Sequence, residues 1–191
     1  MTGKRTLDRR VRKTRRLLRQ ALTTLLVQKP IQEITVSELA ELVDINRGTF
    51  YLHYKHINDM LAQIEQELYR DLQGIITNYP PQMLRENPEK LLICLFDFIQ
   101  QNADIYAALL GPHGDMAFIG STIELVRQHL IPYWASICAE ESLEELELRF
   151  SFMSYGYIGL FKSWLAGGMQ KTPLEMAVLS TQILTGAKTA A

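Results

Sequence analysis

Between Thr35 and His56 the chain reads TVSELAELVDINRGTFYLHYKH, and its second half gathers donors and positive charge: Arg47, Thr49, Tyr51, His53, Tyr54, Lys55 and His56. Guanidinium, ammonium and hydroxyl groups at this density suit phosphate oxygens and base edges. Metal or hydrolytic chemistry is harder to build from them. His53 and His56 stand three apart with no cysteine near, and the chain holds no HExxH or CxxC spacing. No glycine-rich loop is present to cradle a phosphate, and Asp97 and Asp104 read as separate surface residues, not paired acids. The sequence therefore predicts no enzyme, no cofactor and no metal ion.

These side chains need a frame, and the spacing predicts two short helices around a tight turn. Leu39, Ala40, Leu42 and Val43 give the first an apolar stripe, and Asp44, Ile45 and Asn46 break it. The second is expected over Arg47 to Tyr54, anchored inward by Ile45 and Phe50. Thr35 can cap the first helix, with Glu38 at the capping-box position, and Asn46 can cap the second. Two helices packed by Ile, Leu and Ala have no need of Arg47, Thr49, Tyr51, His53, Tyr54 and Lys55 on their outer face. The pattern reads as a helix-turn-helix whose second helix enters a DNA major groove, with an ordinary helical hairpin as the alternative.

Charge is divided along the chain in the same sense. Residues 1–62 carry 12 Lys and Arg against 6 Asp and Glu, a formal +6, whereas residues 63–191 carry 8 against 15, a formal −7. A basic end suits a polyanion and an acidic remainder is repelled by one. Residues 4–19 alone hold nine Lys or Arg. A loose arm followed by a helix from about Asp8 to Gln28 is expected there, with Arg12 and Arg16 off the apolar stripe and available to phosphates. The division predicts two domains, a head at 1–62 and an acidic body at 63–191.

The rest of the chain reads as helices. Ile57, Leu61, Ile64, Leu68, Leu72 and Ile75 line one face of a long helix that Tyr79, Pro80 and Pro81 end. Asn87-Pro88 opens another as cap and first helical residue. A short helix, Asp104 to Leu110, stops at Gly111-Pro112. A further one starts at Met116 and is expected to bend or break at Pro132. A helix from about Phe150 to Leu165 is apolar almost all round, and Thr172-Pro173-Leu174-Glu175 starts the last one. A helix apolar on every side must be buried on every side, so a four-helix homodimer interface is expected, with Gly156, Gly159, Ala166, Ala177, Ser180 and Ala187 allowing close approach. Hydrophobic content of 47% argues against disorder. No uncharged stretch reaches the roughly 18 residues of a spanning helix, and no apolar run follows the charged N-terminus, so a cytoplasmic protein without membrane contact is expected. The fold class is all-α. Phe98, Tyr106, His113, Phe118, Trp134 and Tyr155 are candidates to line a small-molecule site, since aromatic walls with a few polar tips suit small ligands; core packing is the alternative use.

Residues 9–68 resemble the DNA-binding domain of the TetR family of bacterial transcriptional regulators. The resemblance lies in ITVSELAELVDINRGTFYLHYKHINDML, from Ile34 to Leu61. YAALLGPHGDMAFI (Tyr106 to Ile119) and SYGYIGLFKSWLAGGM (Ser154 to Met169) resemble a branch common in Firmicutes. The resemblance implies about nine helices, with a three-helix head, and a homodimer made through the last two helices. It also implies a double-stranded palindromic operator and, in many members, release from DNA when a small-molecule effector enters the C-terminal domain. Repression of a neighbouring gene is the commonest outcome; activation, or a helical adaptor without operator binding, are the alternatives. By matching position, Arg47, Thr49 and Leu52 lie on the recognition helix, with the side chain of Leu52 open to either DNA or the head core. Tyr51, His53 and Tyr54 match positions that meet DNA, and Thr35 and Val36 lie where a helix start approaches a phosphate. The family often has Lys where this chain has Ile57, a departure that Lys55 can offset from nearby.

Overall fold

The computed structural model describes residues 2–80, 83–84, 87–138 and 140–185. Pro81 and Ala187, named above at a helix end and a close approach, lie outside the described residues. Among those residues the fold is all-α, with nine α-helices and one 3-10 turn (Ile31–Glu33). The helices are α1 (Thr2–Gln28), α2 (Val36–Leu42), α3 (Arg47–Tyr51), α4 (Ile57–Thr77), α5 (Pro88–Gln101), α6 (Ala103–Leu109), α7 (Met116–Ile137), α8 (Leu143–Ala166) and α9 (Pro173–Thr185). The chain forms two compact units. One holds Met1–Leu68 and Asp104–Asp115, the other Tyr69–Ala103 and Met116–Ala191, and α4 carries residues of both.

In the first unit α1 starts at Thr2, not near Asp8. Lys and Arg are good helix formers, and nothing between Gly3 and Pro30 interrupts them. Leu18, Leu22, Leu25 and Leu26 are its buried stripe, and Ile34, Leu39, Ala40, Phe50, Ile57, Met60, Leu61 and Ile64 are buried in the same unit. α2 packs on α1 and on α3. The turn between α2 and α3 is a Schellman motif. Asp44 sits in the left-handed region at φ 52°, Ile45 N–H donates to the Ala40 carbonyl at 2.9 Å, and Asp44 N–H donates to that of Glu41 at 3.2 Å. Leu42, expected to face inward, is 55% exposed, because it is the last residue of a helix only seven residues long and falls beyond the covered face.

In the second unit α5 packs on α9 and α7 on α8. Leu84, Leu91 and Tyr133 form one core cluster, and Ile131, Leu146 and Phe150 another. Phe96 meets the edges of Phe161 and Trp164 at ring distances of 5.0 and 5.4 Å. α7 continues through Pro132, correcting the expected break. One backbone bond is lost there, but Ile131 and Tyr133 on either side are buried and hold the turn in place. α8 and α9 both begin with reciprocal capping boxes, Ser142 with Glu145 and Thr172 with Glu175. The described residues contain no helix long and apolar enough to cross a membrane.

Asp44 is a non-glycine residue in a conformation that glycine adopts without strain. Asp44→Gly is expected to stabilise the fold by up to about 1 kcal/mol, or roughly 2–4 °C in melting temperature. Calorimetric melting of the two proteins checks it; an unchanged or lower Tm contradicts the strain.

Candidate nucleic-acid interface

The start of α2 is fixed by a full capping box. Thr35 N–H and Thr35 Oγ1 both donate to Glu38 Oε2 at 2.9 Å, and Glu38 N–H returns to Thr35 Oγ1 at 3.2 Å. Lys29 closes on the other carboxylate oxygen at 2.5 Å, and its ammonium, with the Thr35 donors, holds the Glu38 carboxyl down at about 2. Thr35 therefore spends its hydroxyl and amide on the helix start, beside half-buried Val36. α3 is started by Asn46, whose Oδ1 accepts from Gly48 N–H at 2.8 Å.

α3 is shorter than the spacing suggested, ending at Tyr51. The chain tightens there: His53 N–H and Tyr54 N–H both donate to the Phe50 carbonyl, at 2.9 and 3.1 Å. Arg47, Gly48, Tyr51, Leu52 and Lys55 are exposed, and Thr49 and His53 are half-buried. Tyr51 is 59% exposed while its ring edge rests on Phe50 at 5.5 Å. Tyr54 corrects the expectation of an outer-face residue. Its ring is buried against Phe50, because the tightened turn swings it inward. Leu52 is 81% exposed and does not face the head core.

Arg15 explains where Tyr54 goes, and the sequence reading passed it over. Its Nε donates to the Tyr54 hydroxyl at 3.1 Å and its guanidinium lies over the Tyr54 ring at 5.4 Å. Its other nitrogen reaches Gln63 Oε1 at 3.0 Å and Glu67 at 3.5 Å, both on α4. One side chain of α1 thus binds the end of the recognition segment to α4. The signal was present: Arg15 stands three before Leu18 and seven before Leu22, on the buried stripe, whereas Arg12 and Arg16 fall on the exposed side. Burial and the charge of Arg15 push the His53 imidazole down from its usual value. His56 acts as a helix cap, its Nδ1 accepting from Asp59 N–H at 3.0 Å, while Lys55 N–H donates to Asp59 Oδ2 at 2.8 Å. The described residues contain no group of three or more His, Cys, Asp or Glu placed to hold a metal ion.

The candidate small-molecule residues are divided between the units. Tyr106 and His113 belong to the first, and Phe98, Phe118, Trp134 and Tyr155 to the second. Phe98, Tyr106 and Phe118 are buried, and His113 is half-buried. Trp134 meets the Phe150 ring at 6.3 Å and has the Arg149 guanidinium over its ring at 5.9 Å. Tyr155 points outward from α8 at 63% exposure, which removes it from any enclosed wall within the protomer. Within the first unit a residue not foreseen stands out. Glu65 is half-buried on α4, with one carboxylate oxygen sealed from solvent and lacking a hydrogen-bond partner. Burial first, and the charge of Asp115 second, push its carboxyl up to about 7.

The sign of that shift sets a pH dependence. The folded protein holds the Glu65 proton more tightly than the unfolded chain does. Its contribution is fully present below pH 4.5 and is lost as pH rises through about 7. Glu65→Gln is therefore expected to raise the melting temperature more at pH 8 than at pH 5. The difference should be roughly 2–4 °C, equivalent to about 1 kcal/mol after allowing for solvent screening. Equal gains at the two pH values contradict the assignment.

A family model matches the C-terminal half of the chain. Residues 86–186, more than half of the chain, match the "Transcriptional regulator C-terminal region" of TetR-type proteins. Solved structures agree in fold across nearly the full length. The fatty acid degradation regulator FadR from Bacillus halodurans is 14% identical, with 93% of this chain and 97% of that one covered, at a TM-score of 0.63. A TetR transcriptional regulator from Streptococcus agalactiae 2603V is 20% identical, with 95% and 99% covered, at 0.60. The dihydroxyacetone kinase operon activator DhaS is 15% identical, with 91% and 94% covered, at 0.54. No curated protein matches the chain. With a family model spanning more than half of the chain and the fold shared over more than nine tenths of it, this chain belongs to the TetR family of transcriptional regulators.

Proposed function

We propose that the protein binds a palindromic operator as a homodimer, regulates a neighbouring gene, and is released or redirected by a small-molecule effector. The observation that carries the DNA part is the capped helix α3, which exposes Arg47 and Tyr51, with exposed Lys55 following it and exposed Arg12 and Arg16 on α1 of the same unit. Arg12 and Arg16 position the head on phosphates, while Arg47, Thr49 and Tyr51 read base edges. His53 contributes an imidazole nitrogen as a hydrogen-bonding group. Repression is the primary reading. Activation is the second, because a structure of the same fold bears the name of an operon activator.

The dimer reading rests on an uncovered apolar face. Phe152 is 77% exposed on α8, close to Tyr155, and Leu174, Val178, Ile183 and Leu184 are exposed on α9. Gly156 and Gly159 are open, with nothing within 4 Å of an added Cβ, so a second copy can approach the α8 backbone closely. Two such pairs of helices make a four-helix contact. The effector reading is supported by buried Tyr106 and half-buried Glu65 lying in the same unit as the recognition helix, and by α4 belonging to both units. An effector that prefers the arrangement of α4 that the operator disfavours must be bound more weakly by the operator-bound protein, by the factor by which it weakens operator binding.

Titrating DNA with variant proteins separates the roles of the arginines. Arg12→Ala or Arg16→Ala is expected to weaken selected and random duplexes alike and to lower the slope of log K against log salt by about 1. Arg15→Ala is expected to weaken selected duplex with the slope unchanged, because Arg15 holds Tyr54 and α4 instead of a phosphate. Equal slope changes for Arg15 and Arg12 contradict the division. Sedimentation of the unaltered chain is expected to give twice the 21.9 kDa protomer, and Gly159→Glu to give protomers or insoluble protein, since a charge without a partner is placed in the contact. A stable monomer at micromolar concentration overturns the dimer.

A further inference from the structure

Leu52 is the most exposed large apolar side chain among the described residues, at 81%. It closes α3 in right-handed helical backbone, φ −71° and ψ −17°, so its side chain continues the surface of the recognition helix. It stands four residues after Gly48 and three after Thr49, the spacing of one helical face. Gly48 is exposed and carries no side chain, and an added Cβ there would meet only Asn46 Oδ1, at 3.3 Å. The helix surface one turn before Leu52 is thus bare backbone, which permits close approach to a groove floor. Neighbours on the same segment, Arg47, Tyr51 and Lys55, all present polar tips. An isobutyl group among them has nothing to offer a phosphate. In the major groove the apolar feature of an unmodified base pair is the C5-methyl of thymine.

We propose that Leu52 reads a thymine methyl in each half-site of the operator, and so sets specificity at one position by apolar contact. This rests on the reading of α3 as the recognition helix. Thr49 also carries a methyl, but it is half-buried, whereas Leu52 lies clear of the protein.

The full-length protein is first used to select its preferred duplex from a randomised pool. Each thymine of the selected half-sites is then replaced, symmetrically and one position at a time, by deoxyuridine, which lacks only the methyl. With the unaltered protein one position is expected to lose about fourfold in affinity per half-site, the effect of exposing one methyl-sized group. With Leu52→Ala that loss is expected to vanish, and with Leu52→Met, which keeps an apolar end, to persist. Because Leu52 is exposed, the variants should melt with the unaltered protein. A deoxyuridine penalty that is the same in Leu52→Ala assigns the methyl to another side chain and overturns the proposal, as does a selected site with no penalised thymine. Selection of no sequence at all overturns the operator reading itself, and is recognised before any base is replaced.

Discussion

An α-helix of five residues cannot stand alone in water, because the cost of nucleating its first turn is not recovered over so few bonds. The surface proposed to read DNA is carried on such a helix, so its geometry depends on what fixes α3 from outside. Four devices do so. Asn46 satisfies a free amide at its start, and a Schellman turn sets the direction of entry from α2. Phe50 is fully buried beneath it. After its end, Arg15 holds Tyr54 and reaches across to α4. Arg47 and Tyr51 are left exposed on a helix whose position is decided by residues that do not face the same way.

The arginines of α1 show how one residue type divides between two uses. Arg12, Arg15 and Arg16 lie within five residues, and only the helical period separates them. Arg15 falls in phase with Leu18 and Leu22, where its planar fork meets a hydroxyl, an amide oxygen and a carboxylate at once, a geometry lysine cannot copy. Arg12 and Arg16, out of phase, are exposed. Net charge along the sequence counts all three equally, yet only the outward ones add to the potential a polyanion meets at close range.

Local chemistry was the legible part of the fold. Thr35 with Glu38, Asn46 before Gly48, and Thr172 with Glu175 follow from spacing alone, and each forms the hydrogen bonds that spacing implies. Ser142 with Glu145 has the same spacing and forms the same box. The misplaced residues were those decided by tertiary packing. Tyr54 and Leu52 are both large and stand two apart, and sequence does not say which turns inward; the bond to Arg15 and the tightened turn after Phe50 decide it. Pro132 reads as a break until Ile131 and Tyr133 are seen buried on either side of it. Glu65 looks like one more surface carboxylate of an amphipathic helix, and only its burial in the fold, with the charge of Asp115 from a distant part of the sequence, pushes its carboxyl up.

α8 shows why an uncovered apolar face can persist in a folded protomer. Its first turn is closed by the Ser142–Glu145 box. Its last is closed by Gly168 in the left-handed region at φ 73°, with Met169 N–H donating to the Trp164 carbonyl at 2.9 Å. Leu146, Phe150 and Trp164 bury one side. The helix is therefore secured at both ends and along one flank before Phe152 and Tyr155 meet anything. The apolar area they expose is not needed to form the helix, and its burial remains available to association. A face fixed in advance also loses little conformational entropy when a second copy arrives, which is the condition under which modest apolar area yields a stable contact.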